Sequence, residues 1–367
     1  MRILLLSHAP VVHTQRWAEA LNARGHEVRL LTAEPAPGAL FPGRVVVPRF
    51  PIAAMRYPSG RDPVRREWHS FRPDVTVAHF VPNYGFLAAL AGCRPLFLAC
   101  WGSDLLVNAS RSPFHRARAR FTLHRADLIH VDARMLGDAA VKHGASPSKV
   151  WVRPWGVDVD ALTPKETWEA RRAKSPEARI LWTRSLEPLY DPETFVKALG
   201  LLRRRGVPFR ATIAGKGPLR GALESLAKDL EIAGAVRFVG WVGEDELRAL
   251  YREHEIYVSL SRSDSTSQSL LEAMAAGLSP VVSDIAGNRE WIVHREHGLL
   301  VPVGDALAVA CAVEEIVRAP ADGIGASLAR QSRAAVAERA RFADTVALTE
   351  ARLHDLAGSA AAVELAR

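Results

Sequence analysis

Residues 263–284 read SDSTSQSLLEAMAAGLSPVVSD, a serine- and threonine-rich run opening onto an alanine-rich helical segment with one acid, Glu272. Small polar side chains leave backbone N–H groups uncovered, and the first turn of a helix adds further orphan donors. Such a place suits an anion, phosphate above all. The simpler reading is an ordinary loop with Ser269 as the helix N-cap. Two other stretches bear on phosphate chemistry. AGKGPL (214–219) sets Lys216 between two glycines but lacks the third glycine of a dinucleotide fingerprint. Asp158-Val159-Asp160 spells D-x-D, in which paired carboxylates hold a divalent ion bridging phosphates.

The elements that must position these residues follow from the hydrophobic pattern. In the first half, strands are predicted over 2–7, 27–32, 44–50, 75–80, 95–100, 127–132 and 150–155, with helices over 14–25 and 133–144. After a Pro-containing stretch at 157–165 the alternation restarts. Strands are predicted over 179–185, 209–215, 236–242, 255–261 and 279–284, and helices over 192–206, 219–234 and 245–254. Continuous apolar strands separated by helices indicate parallel sheets covered on both faces. The expected fold class is α/β: two Rossmann-like doubly wound parallel-sheet domains facing a cleft, with ligands at the carboxyl ends of the strands. The expected boundaries are 1–160 and 161–340, with a C-terminal helical stretch, 341–367, crossing back to the N-terminal domain. A nicotinamide dehydrogenase is excluded, because neither half's first strand is followed by G-x-G-x-x-G: HAPVVHT and LEPLYDP stand there instead.

Composition sets the class. A chain of 367 residues, 48% apolar and 24% charged, is an ordinary globular protein too long for one core. Cys93, Cys100 and Cys311 are odd in number and form neither a disulfide framework nor a metal spacing, which points to a reducing compartment. MRILLLSHAP reads as a first strand rather than a signal peptide. The best apolar run, 85–100, is interrupted by Arg94 and falls short of the roughly 18–20 residues of a membrane span. A cytoplasmic location follows as the expectation. Over residues 1–160 there are 21 Lys+Arg against 12 Asp+Glu, a balance of +9, whereas the rest holds 27 against 28, a balance of −1. The basic half favours an anionic ligand or surface, the alternative being solvated helix faces.

YVSLSRSDSTSQSLLEAMAAGLSPVVSD (257–284) resembles the donor-site signature of retaining glycosyltransferases of family four, which have the GT-B fold. That signature runs an acidic residue, seven intervening residues, Glu, then Ala-Met-Ala-x-Gly-x-Pro-Val-Val. Here it reads Asp264, seven residues, Glu272 and AMAAGLSPVV. Further pieces fit in collinear order, including RGHEVRLLT (24–32), PDVTVAHF (73–80), WGSDLL (101–106), RSLEP (184–188), AGKGPL (214–219), RFVGWV (237–242) and GLLVPVGD (298–305).

The resemblance implies a metal-independent transferase moving a hexose-type sugar from a nucleoside-diphosphate sugar to a lipid or glycan acceptor, with no cofactor beyond the donor. By the match, Arg184 holds the diphosphate. The family's usual lysine six residues later is Tyr190, and Lys216 would replace it. Glu272 would accept from the ribose hydroxyls. The N–H groups of Thr266, Ser267 and Gln268, with Ser269 and the helix start, would hold phosphate oxygens. The backbone of Trp241 and Val242 would meet the base. Asp264, one methylene shorter than the family's glutamate, and His79 would face the sugar, with Trp101 and Asp104 on the acceptor side. The D-x-D at 158–160 falls in the family's linker and is set aside as a metal site. The alternatives are an epimerase or phosphorylase on the same fold, or a catalytically silent sugar-nucleotide binder. The expected partners are the donor, a lipid-linked or glycan acceptor, and an anionic membrane met peripherally on the inner face of the cell membrane. No nucleic acid is expected. For the membrane, Arg111, Arg116, Arg120 and His124 provide the basic face, with Arg118 expected to contribute to lipid binding, while Phe114, Ala117 and Phe121 provide either a membrane-facing stripe or an ordinary core stripe.

Overall fold

The computed structural model describes residues 1–47 and 56–365, with the side chains of the last helix described as far as residue 359. The chain divides into two compact units, Met1–Pro154 with Asp344–Arg367, and Trp155–Ala343.

The first unit is built on a seven-stranded, wholly parallel sheet. Its strands are β1 (Arg2–Leu6), β2 (Glu27–Thr32), β3 (Arg44–Val45), β4 (Val75–His79), β5 (Leu96–Ala99), β6 (Leu128–Val131) and β7 (Val150–Val152). They lie in the order β3-β2-β1-β4-β5-β6-β7, so the order reverses between β1 and β4. The strand expected over 44–50 extends only over Arg44–Val45, and its residues 48–50 lie outside the described residues. Alternation in β1 and β4 sends Leu4, Leu6 and Ala78 to one face, against Leu87, Ala88 and Phe71. Farther along the same face, Leu98, paired with Ala78, and Ile129 and Val131 pack against Leu123 and Leu136. Each such leucine contributes about 1.5–3 kcal/mol by leaving water.

The last helix, Phe342–Leu365, packs its segment from Asp344 onward within this unit. Val346 and Leu353 are buried, and Glu350 takes hydrogen bonds from Arg24 at 2.6 Å and His26 at 2.8 Å.

The second unit carries a six-stranded parallel sheet of β8 (Ala178–Trp182), β9 (Phe209–Ala214), β10 (Val236–Gly240), β11 (Ile256–Ser259), β12 (Ser279–Ser283) and β13 (Leu299–Val301). The order is β10-β9-β8-β11-β12-β13, again reversing beside the first strand of the unit. Trp182 stacks on Phe195 of the helix Pro192–Arg204, with ring centroids 5.3 Å apart, on one face of the sheet. Tyr257, Leu271 and Met274 fill the other face. Among the described residues, no helix is long and apolar enough to cross a membrane.

Candidate functional site

In the second unit the residues singled out above follow the carboxyl ends of adjacent parallel strands, where open α/β sheets place their ligands. Arg184 lies two residues past β8, Lys216 two past β9, Trp241 directly after β10, and Asp264 five past β11. The loops are drawn together by glycines. A Cβ at Gly215 would overlap the carbonyl oxygen of Arg184, and one at Gly217 that of Leu186, so only glycine lets the two loops touch. Backbone bonds close this contact: the Leu186 N–H donates to Lys216 O at 2.8 Å.

Arg184 is the hub. Its Nη2 donates to Asp264 Oδ2 at 2.6 Å, and its Nη1 to Ser267 Oγ at 3.0 Å and Ser269 Oγ at 3.3 Å. The Tyr190 ring lies 4.2 Å from the guanidinium carbon, so the tyrosine at the family's lysine position stacks on the arginine. Burial works against the Arg184 charge, but Asp264 and the flanking Tyr257, Tyr190 and Tyr251 outweigh it and raise the pKa above its ordinary value.

The helix that follows is Gln268–Ala275, and its N-cap is Ser267 rather than the expected Ser269, the Ser267 Oγ accepting from the Leu270 N–H at 3.3 Å. Ser269 instead joins the hydroxyl network, accepting from the Tyr257 O–H at 2.8 Å. Thr266 accepts from the Trp291 indole at 3.3 Å, and Gln268 donates to the Gly156 carbonyl at 2.9 Å. Glu272, half-buried, is oriented by the Tyr251 O–H at 3.2 Å. Arg184, Asp264, Ser267, Ser269 and Glu272 are thus brought into one hydrogen-bonded network, joined by Tyr251 and Tyr257.

Lys216 is exposed and pairs with Trp241, its ammonium 5.7 Å from the ring centroid and the indole itself 65% exposed. Val242 turns inward against the core. Asp158 accepts from the Ala161 N–H at 3.0 Å and Asp160 pairs with Arg341 at 2.7 Å, so the two carboxylates of the D-x-D serve a turn and an ion pair.

In the first unit, His79 closes β4 and lines a pocket of about 340 Å³ with Ser7, His8, Glu34, Arg56, Tyr57 and Trp101. Its Nδ1 shares a 3.0 Å hydrogen bond with Ser7 Oγ, and its ring packs on Trp101 with centroids 5.5 Å apart. Burial, with His130 and His13 nearby, lowers its pKa to about 3, which keeps the imidazole neutral. Asp104 is 1% exposed and accepts from the N–H groups of Val81 at 3.1 Å, Trp101 at 3.1 Å and Leu105 at 3.0 Å. It therefore ties the loop after β4, where Phe80 takes φ +67°, to the loop after β5, and holds the wall of the pocket in place. Ser7, Tyr251 and Tyr257 carry no sequence motif; only the fold reveals them.

Comparison with known proteins agrees with this layout. Residues 164–341 match the family described as glycosyl transferases group 1, and residues 9–156 match the glycosyl transferase 4-like domain. The amylovoran biosynthesis glycosyltransferase AmsK of Erwinia amylovora is 28% identical over 282 residues, covering 72% of this chain and 66% of its own length. The GDP-mannose-dependent alpha-(1-6)-phosphatidylinositol monomannoside mannosyltransferase of Mycobacterium tuberculosis is 26% identical over 325 residues, 85% of this chain and 81% of its own. Among solved structures, sucrose-phosphate synthase from Thermosynechococcus elongatus superposes with a TM-score of 0.81 at 18% identity, covering 98% of this chain and 100% of that one. Anabaena HepE, crystallised with UDP and glucose, gives 0.79 at 17% identity, covering 97% and 99%. The chain belongs to the group 1, family-four-like glycosyltransferases of GT-B fold, enzymes that transfer sugar from a nucleotide-sugar donor.

Proposed function

We propose that the chain moves a hexose-type sugar from a nucleoside-diphosphate sugar to a lipid-linked or glycan acceptor, with retention at the anomeric carbon and without a metal ion. The observation that carries this reading is the Arg184 hub. A guanidinium, two serine hydroxyls and a helix start converge at the carboxyl ends of parallel strands, one helical turn from a carboxylate fixed by tyrosine. That set supplies the positive charge and donors that a diphosphate requires, and an acceptor for a ribose diol.

In this reading residues 161–340 bind the donor and residues 1–160 receive the acceptor, with 341–367 returning to the first half. Arg184 and Lys216 stabilise the leaving diphosphate, assisted by the N–H groups of Thr266, Ser267 and Gln268 and the hydroxyl of Ser269. Glu272 takes the ribose, the Trp241–Val242 backbone meets the base, and Asp264 and His79 face the sugar. As the glycosidic oxygen departs, negative charge grows on the diphosphate where these donors already stand, and the diphosphate takes the acceptor's proton. HepE was crystallised with UDP and glucose, and the mycobacterial relative is GDP-mannose-dependent, so both bases belong in the test. Calorimetry with UDP-, GDP- and ADP-sugars identifies the donor, and the anomeric configuration of the product tests retention. Binding of a donor with no transfer to any lipid or glycan acceptor overturns the transferase assignment.

A further inference from the structure

His26, Glu350 and His354 bring three metal-competent side chains to one spot in the first unit, their ligand atoms all within 4.8 Å of one another. Glu350 and His354 stand four residues apart on the helix Phe342–Leu365, which puts them on one face. His26 comes from the turn before β2, where Gly25 takes φ +87°. The carboxylate is already ordered. Arg24 donates through Nε to Oε2 at 2.6 Å, leaving Oε1 toward His26 Nε2 at 2.8 Å. The Met1 amino group meets His26 Nδ1 at 3.2 Å, so Nε2 is the ring nitrogen turned into the cluster. An ion pair accounts for His26 and Glu350 but gives no part to His354. Its exposed ring meets His26 edge-on, with centroids 5.9 Å apart, and makes no hydrogen bond among the described residues.

We propose that these three side chains bind a divalent transition ion of the Zn²⁺ or Co²⁺ kind, clipping the C-terminal helix to the turn before β2. Two imidazoles and one carboxylate suit such an ion, whereas Mg²⁺ and Ca²⁺ take oxygen ligands. With bonds of about 2.0–2.1 Å, ligand atoms around a tetrahedral ion lie about 3.4 Å apart. The His26–Glu350 pair therefore opens by roughly half an ångström, and His354 swings in. The ion takes the place of the hydrogen now between His26 Nε2 and Glu350, and the imidazole binds as the neutral ring with its one proton on Nδ1. The nearby Arg24 charge holds the affinity down, and the exposed side leaves the fourth position to water. The clip plays no part in the sugar chemistry.

Cobalt titration of the untagged chain, followed by visible absorption with Zn²⁺ as competitor, tests this. The expected result is saturable binding of one ion per chain, reversed by Zn²⁺, together with a higher melting temperature. His354→Ala, at an exposed position, should keep the far-ultraviolet circular dichroism spectrum and weaken Co²⁺ binding by about tenfold or more. No saturable binding by the wild type, or equal binding by His354→Ala, overturns the proposal.

Discussion

Asp264 Oδ2 accepts a 2.6 Å ion-paired hydrogen bond from Arg184 Nη2, with only 20% and 13% of the two side chains exposed. One arm of the guanidinium proposed to meet the donor's diphosphate is thus neutralised before any ligand arrives. Tyr190 covers the guanidinium face, so the other Nη and the serine hydroxyls are what remain for an incoming phosphate. A bound diphosphate must share the occupied arm or displace the carboxylate from it.

Removing the carboxylate should therefore help the bare nucleotide while harming the reaction. Asp264→Ala is expected to tighten UDP or GDP binding by up to about tenfold, about 1.4 kcal/mol, and to depress sugar transfer sharply. Calorimetry and turnover on the same variant separate the two. Weaker diphosphate binding would show that Asp264 orders the arginine more than it competes for it.

Lys216 and Trp241 form a second, more open pair. Because the ammonium is exposed, Lys216→Ala should weaken nucleoside-diphosphate binding by about 1 kcal/mol, below the usual range for hydrogen bonds to charged groups. Trp241→Ala should lower nucleoside-diphosphate affinity while leaving inorganic pyrophosphate affinity alone. An unchanged dissociation constant for Lys216→Ala removes it as the replacement for the lysine absent at 190.

The parallel strands are legible because double-sided burial leaves uninterrupted apolar runs such as RILLL and VTVAH, and strand ends then locate Arg184, Lys216, Asp264 and His79. Glu272 is legible through its seven-residue spacing from Asp264. The hydrogen bonds that organise the site are not. Tyr257 sits in a strand and Tyr251 in the preceding helix, and their hydroxyls reach Ser269 and Glu272 only after the sheet is assembled. The choice of Ser267 over Ser269 as cap turns on where the helix starts, a boundary that a serine-rich run leaves undefined. The helix Phe86–Ala91 is missed for a similar reason, since a short apolar run carries no period.

Stability should fall in acid. Burial lowers the pKa of His79 to about 3 and those of His13 and His130 to about 4, against about 6.5 in the unfolded chain. The unfolded state then binds more protons below that value, so the stabilisation is complete above about pH 6.5 and is lost as pH falls toward 4. For a fully buried histidine the loss approaches about 3 kcal/mol. Asp104 runs the other way. Burial raises its pKa to about 6, so it weakens the fold as pH rises from about 4 to about 6, and one acid offsets only part of three histidines. His130→Gln should flatten the melting temperature's dependence on pH between 7 and about 4.5; a parallel curve would mean that His130 titrates in the fold as it does in the unfolded chain.

Transfer should persist in excess EDTA, because the proposed counter-charge comes from Arg184, Lys216 and a helix start. Assays with and without Mg²⁺ or Mn²⁺ decide it. Loss of turnover restored by either ion would return attention to Asp158 and Asp160, whose present partners are the Ala161 N–H and Arg341.

The helix Pro113–Arg125 separates into two faces that the sequence alone leaves mixed. Phe121 packs against Phe86 with centroids 5.8 Å apart, and Arg118 lies 4.1 Å over the same Phe86 ring, where burial lowers its pKa to about 10. Those two residues are half-buried against the fold. Phe114 is 59% exposed, and Arg111, Arg116, Arg120 and His124 are exposed beside it. A basic surface bearing one outward aromatic ring suits an anionic bilayer, at about 1 kcal/mol per basic residue near the headgroups. If the acceptor is lipid-linked, the chain should pellet with vesicles containing anionic lipid, and added salt should release it. Replacing Arg111, Arg116 and Arg120 by Glu should abolish pelleting, while Phe114→Ser should weaken it. Arg118→Glu is not a fair probe of this face, because it would bury a carboxylate against an aromatic ring. Failure to pellet at low salt on acidic vesicles leaves a soluble glycan as the acceptor to test.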